Sequence, residues 1–305
     1  MWAVVVLAAV GCGGDAPAAK PARLHAPPIT PDLVAARGER QVEYYERQVL
    51  LINKWLTQAR IAPATSTGLL NVLRQSRDQS GRETSLTAGD LVANFQGWFH
   101  ATEGLDSLRR ATAYLIADRV LRLAWLPFAL TDPVQQQAER DKLKAMGAEA
   151  FLSTAAGEMA YAGNWLHEAI QLDPNGPTGQ RAALMLLETD CAGGDSPDSY
   201  HAIIQRLDVL AAAPADSEVK FTTELLEADA YRDMVALAHG FGRENADSTK
   251  FAPEAEAAKA KALGLYVAAL AIDSTSRFAR GGRLSYDRLA SGQPLDHVRF
   301  FCFGD

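Results

Sequence analysis

Cysteine is scarce in this sequence, and basic charge is outnumbered by acidic. Its 305 residues include three cysteines, too few for the disulfide frameworks of small secreted scaffolds. Lys and Arg total 30 against 37 Asp and Glu, a formal net charge of −7. A nucleic-acid surface needs clustered Lys and Arg, so nucleic acid is not an expected partner. No Asn-Gly turn joins alternating β-branched runs, so hairpins are not expected either. Catalytic motifs are equally sparse. The six histidines (His25, His100, His167, His201, His239 and His297) never form His-Glu-x-x-His or Glu-x-x-His, the helical ligand spacings of zinc proteases and di-iron bundles. His100 and Glu103, three residues apart, read as a surface pair. Gly-x-x-x-x-Gly-Lys-Ser/Thr is missing, and Gly240-Phe241-Gly242 follows no strand, so it reads as a helix end and loop. Ser217-Glu218-Val219-Lys220 has the Ser-x-x-Lys spacing of penicillin-binding enzymes without its companion motifs; Ser217 reads as a helix N-cap. No catalytic residue, metal or other cofactor is expected, and the chain reads as a non-enzyme.

What the sequence has in excess is alanine, roughly one residue in six. Alanine is the best helix former and lets helices approach closely. Apolar residues make up 48% and charged residues 22%, the composition of a folded globular chain. Helical signals recur from Thr30 onward. Thr30-Pro31-Asp32 and Thr131-Asp132-Pro133 each place a capping residue beside a Pro suited to the first turn. Val42, Tyr45, Val49, Ile52, Leu56 and Ala59 fall near helical spacing up to Ile61. Leu69, Leu70 and Leu73 mark a short second helix. A third runs through Phe95, Trp98 and Phe99, and a fourth starts at Asp106. The expected fold class is all-α.

The N-terminus carries a different signal. Trp2 to Val10 is apolar but too short to span a bilayer, and it matches the apolar region of an export signal. Ala9-Val10-Gly11-Cys12 resembles a bacterial lipobox. That resemblance implies a signal peptide over 1–11 and lipidation of Cys12. Gly13 follows, so the outer membrane, facing the periplasm, is the expected address. Residues 12–30 contain Pro17, Pro21, Pro27 and Pro28 and few core-forming side chains, which reads as a tether.

The second half has a repeating organisation. One helix is expected over 133–156, punctuated by Gly157. The next segment, Met159 to Pro174, resembles the second helix of a tetratricopeptide repeat in its small Ala162, bulky Leu166, small Ala169 and closing Leu172-Asp173-Pro174. Fainter echoes end at Pro214 and Ser274, with first-helix partners over 177–191, 216–238 and 276–291. The chain is thus similar to tetratricopeptide-type envelope lipoproteins, with an N-terminal helical region at 31–130 and a degenerate array at 131–305. The resemblance implies a lipid-anchored scaffold that holds an envelope protein or peptide segment. The alternative is a small-ligand-binding accessory lipoprotein of a periplasmic transport system, with a pocket between the N-terminal helices and the array. Phe95, Trp98, Trp125 and Trp165 are the candidate binding residues. An enclosed apolar pocket would favour a ligand, an open groove a partner. Cys191 and Cys302 form an even pair once Cys12 is lipidated, and could be joined as a disulfide or be two reduced thiols. The closing Arg299-Phe300-Phe301-Cys302-Phe303 is expected to cap the last helices.

Overall fold

The computed structural model describes residues 49–61, 69, 88–122, 133–152, 159–189, 193–241, 247–295 and 298–300. The chain divides into Met1–Arg40 and Gln41–Asp305, and every described residue belongs to the second part. The expected signal peptide, Cys12, the tether, Trp125, Cys191 and Cys302 lie outside the described residues.

The described chain is built almost wholly of helices, as expected. A helical stretch at 49–58 (α1) is followed by α2 (Ala88–Ala101), α3 (Ser107–Val120) and α4 (Pro133–Ala145). Then come α5 (Asn164–Leu172), α6 (Pro177–Thr189), α7 (Pro197–Ala212) and α8 (Ser217–Ala238). The short α9 (Ser248–Phe251), α10 (Ala255–Ile272) and α11 (Arg277–Ser291) complete the set. None of the described helices is long and apolar enough to cross a membrane.

Caps set several of these boundaries, by giving acceptors to the free N–H groups of a first turn. Asp106 accepts from Arg109 N at 3.0 Å and starts α3. Asp216 accepts from Val219 N at 2.8 Å, so Asp216, not the expected Ser217, is the N-cap of α8, and Ser217 is the first helical residue. Ser276 does the same for α11 through Ala279 N. Asp173, from the closing Leu-Asp-Pro, accepts from Thr178 N at the start of α6.

The segment between α4 and α5 departs from expectation. The helix expected to reach residue 156 stops at Ala145. Gly147 takes a left-handed φ of 84°, and Ala148 N donates to Leu143 O while Gly147 N donates to Lys144 O. This is a Schellman end, which favours glycine because a Cβ is strained there. The chain then pairs β1 (Ala150–Leu152) antiparallel with β2 (Met159–Tyr161), Phe151 opposite Ala160. The repeat-like segment is therefore a strand at its start and a helix only from Asn164. Ala162 lies outside the helix and is exposed, whereas Leu166 and Ala169 are fully buried within it.

Two apolar cores lie along the chain. The first gathers side chains from Ile52 to Leu186, where Phe95, Trp98, Phe99, Tyr161 and Trp165 lie ring against ring; the second runs from Leu184 to Phe300, where Tyr200 meets Phe251. Helix α6 serves both, with Ala182, Met185 and Leu186 in the first and Leu184 and Leu187 in the second. Helix α5 packs on α3 and α6, α7 on α8, and α10 most extensively on α8. The expected pairing of 177–191 with the helix ending at Pro214 is slight, since α6 and α7 touch only lightly. Helix α8 is buried nearly all round, which is why its sequence shows no clean polar face.

Candidate ligand-binding site

Of the four aromatic residues singled out from sequence, the three that are described are core. Phe95, Trp98 and Trp165 are no more than 4% exposed. Phe95 and Phe99 lie 5.4 and 5.2 Å from the Trp165 ring, and the Trp165 indole N–H donates to Met146 O at 3.1 Å. Rings at helical spacing on an amphipathic face fill the interior rather than face a ligand. Their surface is not available to a partner.

A cavity of about 330 Å³ lies instead where the two cores meet. Leu51 and Trp55 of α1 and Arg119 of α3 form one side. Leu184, Met185 and Arg181 of α6, with Phe221 and Leu225 of α8, form the other. Phe278 of α11 is 64% exposed and stands at the solvent edge. Helix α6 explains the placement: its two faces serve different cores, so the seam beside it collects residues far apart in sequence.

The polar groups on this wall are mostly donors. Arg181 pairs with Asp216 at 2.6 Å and Glu218 at 3.0 Å, and Lys54 reaches the same Glu218 at 3.1 Å. Arg299 pairs with Asp229 at 2.9 Å. Trp55 is 5% exposed, and its indole N–H is buried without a hydrogen-bond partner. The Nε atoms of Arg119 and Arg181 are buried and unpartnered as well. Such donors cost about 1–3 kcal/mol each when no acceptor reaches them.

A second cleft of about 490 Å³ shares Trp55 and Arg181 with the first. Arg60, Arg109 and Thr178 also line it. Arg60 is the one non-glycine residue among those described with a positive φ, 53°. Ile61 N donates to Leu56 O and Arg60 N to Thr57 O, so Arg60 occupies the position of a Schellman end where glycine is usual. An arginine is kept there against about 1–2 kcal/mol of backbone strain.

A third polar group lies in the second core. Arg232, 2% exposed, meets Asp233 at 2.8 Å, Asp229 at 3.1 Å and Ser285 Oγ at 3.1 Å. Tyr266 donates to Asp229 at 2.6 Å. Asp233 Oδ2 also accepts the backbone N–H groups of Arg299 and Phe300, at 2.7 and 2.8 Å. Burial pushes the Asp233 carboxyl up, against the pull of Arg232 and the Phe300 N–H. Phe300 is buried in this core, so the end of the described chain is fastened to α8. Sequence reading took this tail as an apolar cap and missed the ionic half of its attachment. Charges embedded in a helix with no polar face were the available signal.

His100 lies 2.7 Å from Glu103 with both side chains more than half exposed, a surface pair as expected. His167 is exposed. Among the described residues no group of three or more His, Cys, Asp and Glu is placed to hold a metal ion. The Gly193 N–H donates to Phe300 O at 2.9 Å, joining positions two residues from Cys191 and from Cys302. No family model, curated protein or solved structure matches the chain.

Proposed function

We propose that this chain is a non-catalytic binding protein of the bacterial cell envelope that holds a small ligand at the seam between its two cores. Of the two expected roles, ligand carrier and partner scaffold, the first is better supported. The observation that carries it is the cavity of about 330 Å³, apolar in most of its lining and with Arg119, Arg181 and Arg299 among its few polar groups. Its volume lies at the lower end of small-molecule sites, which combine an apolar wall with a few polar groups in this way. The reading keeps the expected lipid anchor on Cys12 and the tether over 12–30, with the helical body held off an outer membrane. It also keeps the distant relation to tetratricopeptide-type lipoproteins.

Native mass spectrometry of the full chain purified from envelope tests the binding role. A bound small molecule is expected, and it should be lost in Met185→Trp, which fills the cavity. An unliganded chain that instead crosslinks to one envelope protein would overturn this role in favour of the scaffold. Labelling with a tagged fatty acid tests the anchor: label is expected on the native chain and absent from Cys12→Ala.

A further inference from the structure

We infer that the groove along α8, between α7 and α10, binds a linear alkylammonium ligand, with Glu227 as its central carboxylate. This site is separate from the seam cavity, since none of its residues lines that cavity. Helices α7 and α10 both pack on α8 and have at most slight contact with each other. They leave one stripe of α8 partly uncovered. Lys220, Glu224, Glu227 and Tyr231 fall at helical spacing along it. Asp208 of α7 and Lys261 of α10, both exposed, stand to either side. At one end His201 of α7 meets Glu254, next to the start of α10, at 2.8 Å.

The first support is a carboxylate without a donor. Glu227 is 7% exposed, and among the described residues it has no hydrogen bond or ion pair. Its oxygens keep accessible surface, in contrast to the closed-off and unpartnered Glu224 Oε2. Glu224 Oε1 has only Lys220, at 3.8 Å, and Asp208 is unpaired among the described residues. Lys261 bears on Glu227 from beyond ion-pairing distance. Burial and the acidic neighbours push the Glu227 carboxyl up to about 7, as befits a site short of positive charge. A carboxylate offers acceptors alone, so what completes the site must bring donors and positive charge.

The second support is the spread of these groups. No three His, Cys, Asp and Glu among the described residues are placed to hold one metal ion. The carboxylates lie along the groove rather than around a point: Glu224 and Glu227 are separated by about 4.5 Å of helix rise. Tyr231, half-buried and within electrostatic reach of Glu227 and Asp208, adds an aromatic ring beside them. Carboxylates and a ring together suit an ammonium on a methylene chain, which the ring attracts as well.

Isothermal titration of the full chain at pH 8 with spermidine, with trilysine and with magnesium chloride tests this. At least one of the two ammonium probes is expected to bind one per chain, with magnesium at matched ionic strength at least about tenfold weaker. Glu227→Gln keeps the shape of the side chain and removes repulsion from Asp208 and Glu224, so it should fold normally. It is expected to weaken the bound probe about tenfold. Asp287→Asn, an exposed change on α11, should leave binding as it is. Tighter binding of spermidine would identify a free polyamine, and tighter binding of trilysine a lysine-bearing segment of a partner protein. Failure of both probes, magnesium binding as tightly as they do, or equal losses in Glu227→Gln and Asp287→Asn would overturn the proposal. None of these results bears on the seam cavity, whose test by native mass spectrometry is independent.

Discussion

The two cores of this molecule solve the same problem, burying helices against one another, by different means. The first is held by rings: Trp165 touches Phe95, Phe99 and Tyr161, and Arg110 and Arg122 lie over the faces of Phe99 and Tyr161 at the edge. Its central polar atom, the Trp165 indole N–H, has a backbone acceptor. The second buries charge: Asp229, Arg232 and Asp233 lie on the central helix, within a leucine and alanine core. A ring core fails by degrees, because a truncated side chain leaves a cavity that neighbours partly fill. An ionic core fails abruptly, because removing one member leaves another charge buried without a partner. The difference also separates the tasks. The ionic core fastens the end of the described chain, through Arg299 and Phe300. The cavity of about 330 Å³ lies at the seam between the two.

The largest effect expected from this contrast is at Arg232. Replacing it by Met leaves Asp233 without a cation and Asp229 with Arg299 alone, and the denaturant midpoint should report a loss of about 3–5 kcal/mol. The double change Asp233→Asn with Arg232→Met should recover part of that loss. A loss under about 1 kcal/mol in the single variant would show that the ionic core is dispensable, and the contrast would collapse.

In the ring core, Trp165→Phe opens space and strands the Met146 carbonyl, for an expected loss of about 1–3 kcal/mol by the same measurement. A loss equal to that at Arg232 would mean that both cores fail alike.

Glu227 gives a pH-dependent test within the second core. Burial first, then the nearby Asp208 and Glu224, push its carboxyl up to about 7, against the pull of Lys261. A carboxyl raised on folding binds its proton more tightly in the folded state. The stability it contributes is therefore full at pH below the ordinary value of 4.5 and is lost as pH rises through about 7. Glu227→Gln should be more stable than the native chain at pH 8 by roughly 1–2 kcal/mol, about half of what the rise from 4.5 to about 7 is worth at about 1.4 kcal/mol per pH unit, because solvent screens part of the effect. The gain should vanish at pH 4, and melting curves at the two pH values read it directly. A gain that persists at pH 4 would assign the effect to packing.

The smallest effect is at the cleft beside the seam. Arg60→Gly relieves a left-handed arginine and should raise stability by about 0.5–1 kcal/mol, seen as a small rise in Tm. No rise would mean that contacts of the Arg60 side chain offset the strain.

Much of the fold was legible because its signals are local. Helices expected over 216–238 and 276–291 are found at Ser217–Ala238 and Arg277–Ser291, since a cap accepts from an N–H three residues away. Where the reading failed, a local competitor won. Gly147 ended α4 eleven residues early, and β1 then took Met159–Tyr161 as its strand partner. The site was not legible at all. Trp55, Arg119 and Arg181 come from three helices, and nothing in their own sequence neighbourhoods distinguishes them from surface or core residues.

The sequence by itself determined that this is a helical chain and where several of its helices start. Those outcomes follow from backbone capping and from the period of apolar residues, which act over a few positions. Only the tertiary structure decided that α6 would face two cores, that Arg232 would be buried between two aspartates, and that Phe95, Trp98 and Trp165 would be core rather than a binding surface. Pairing and solvent exclusion depend on which distant side chains arrive at the same place, and no short-range pattern encodes that.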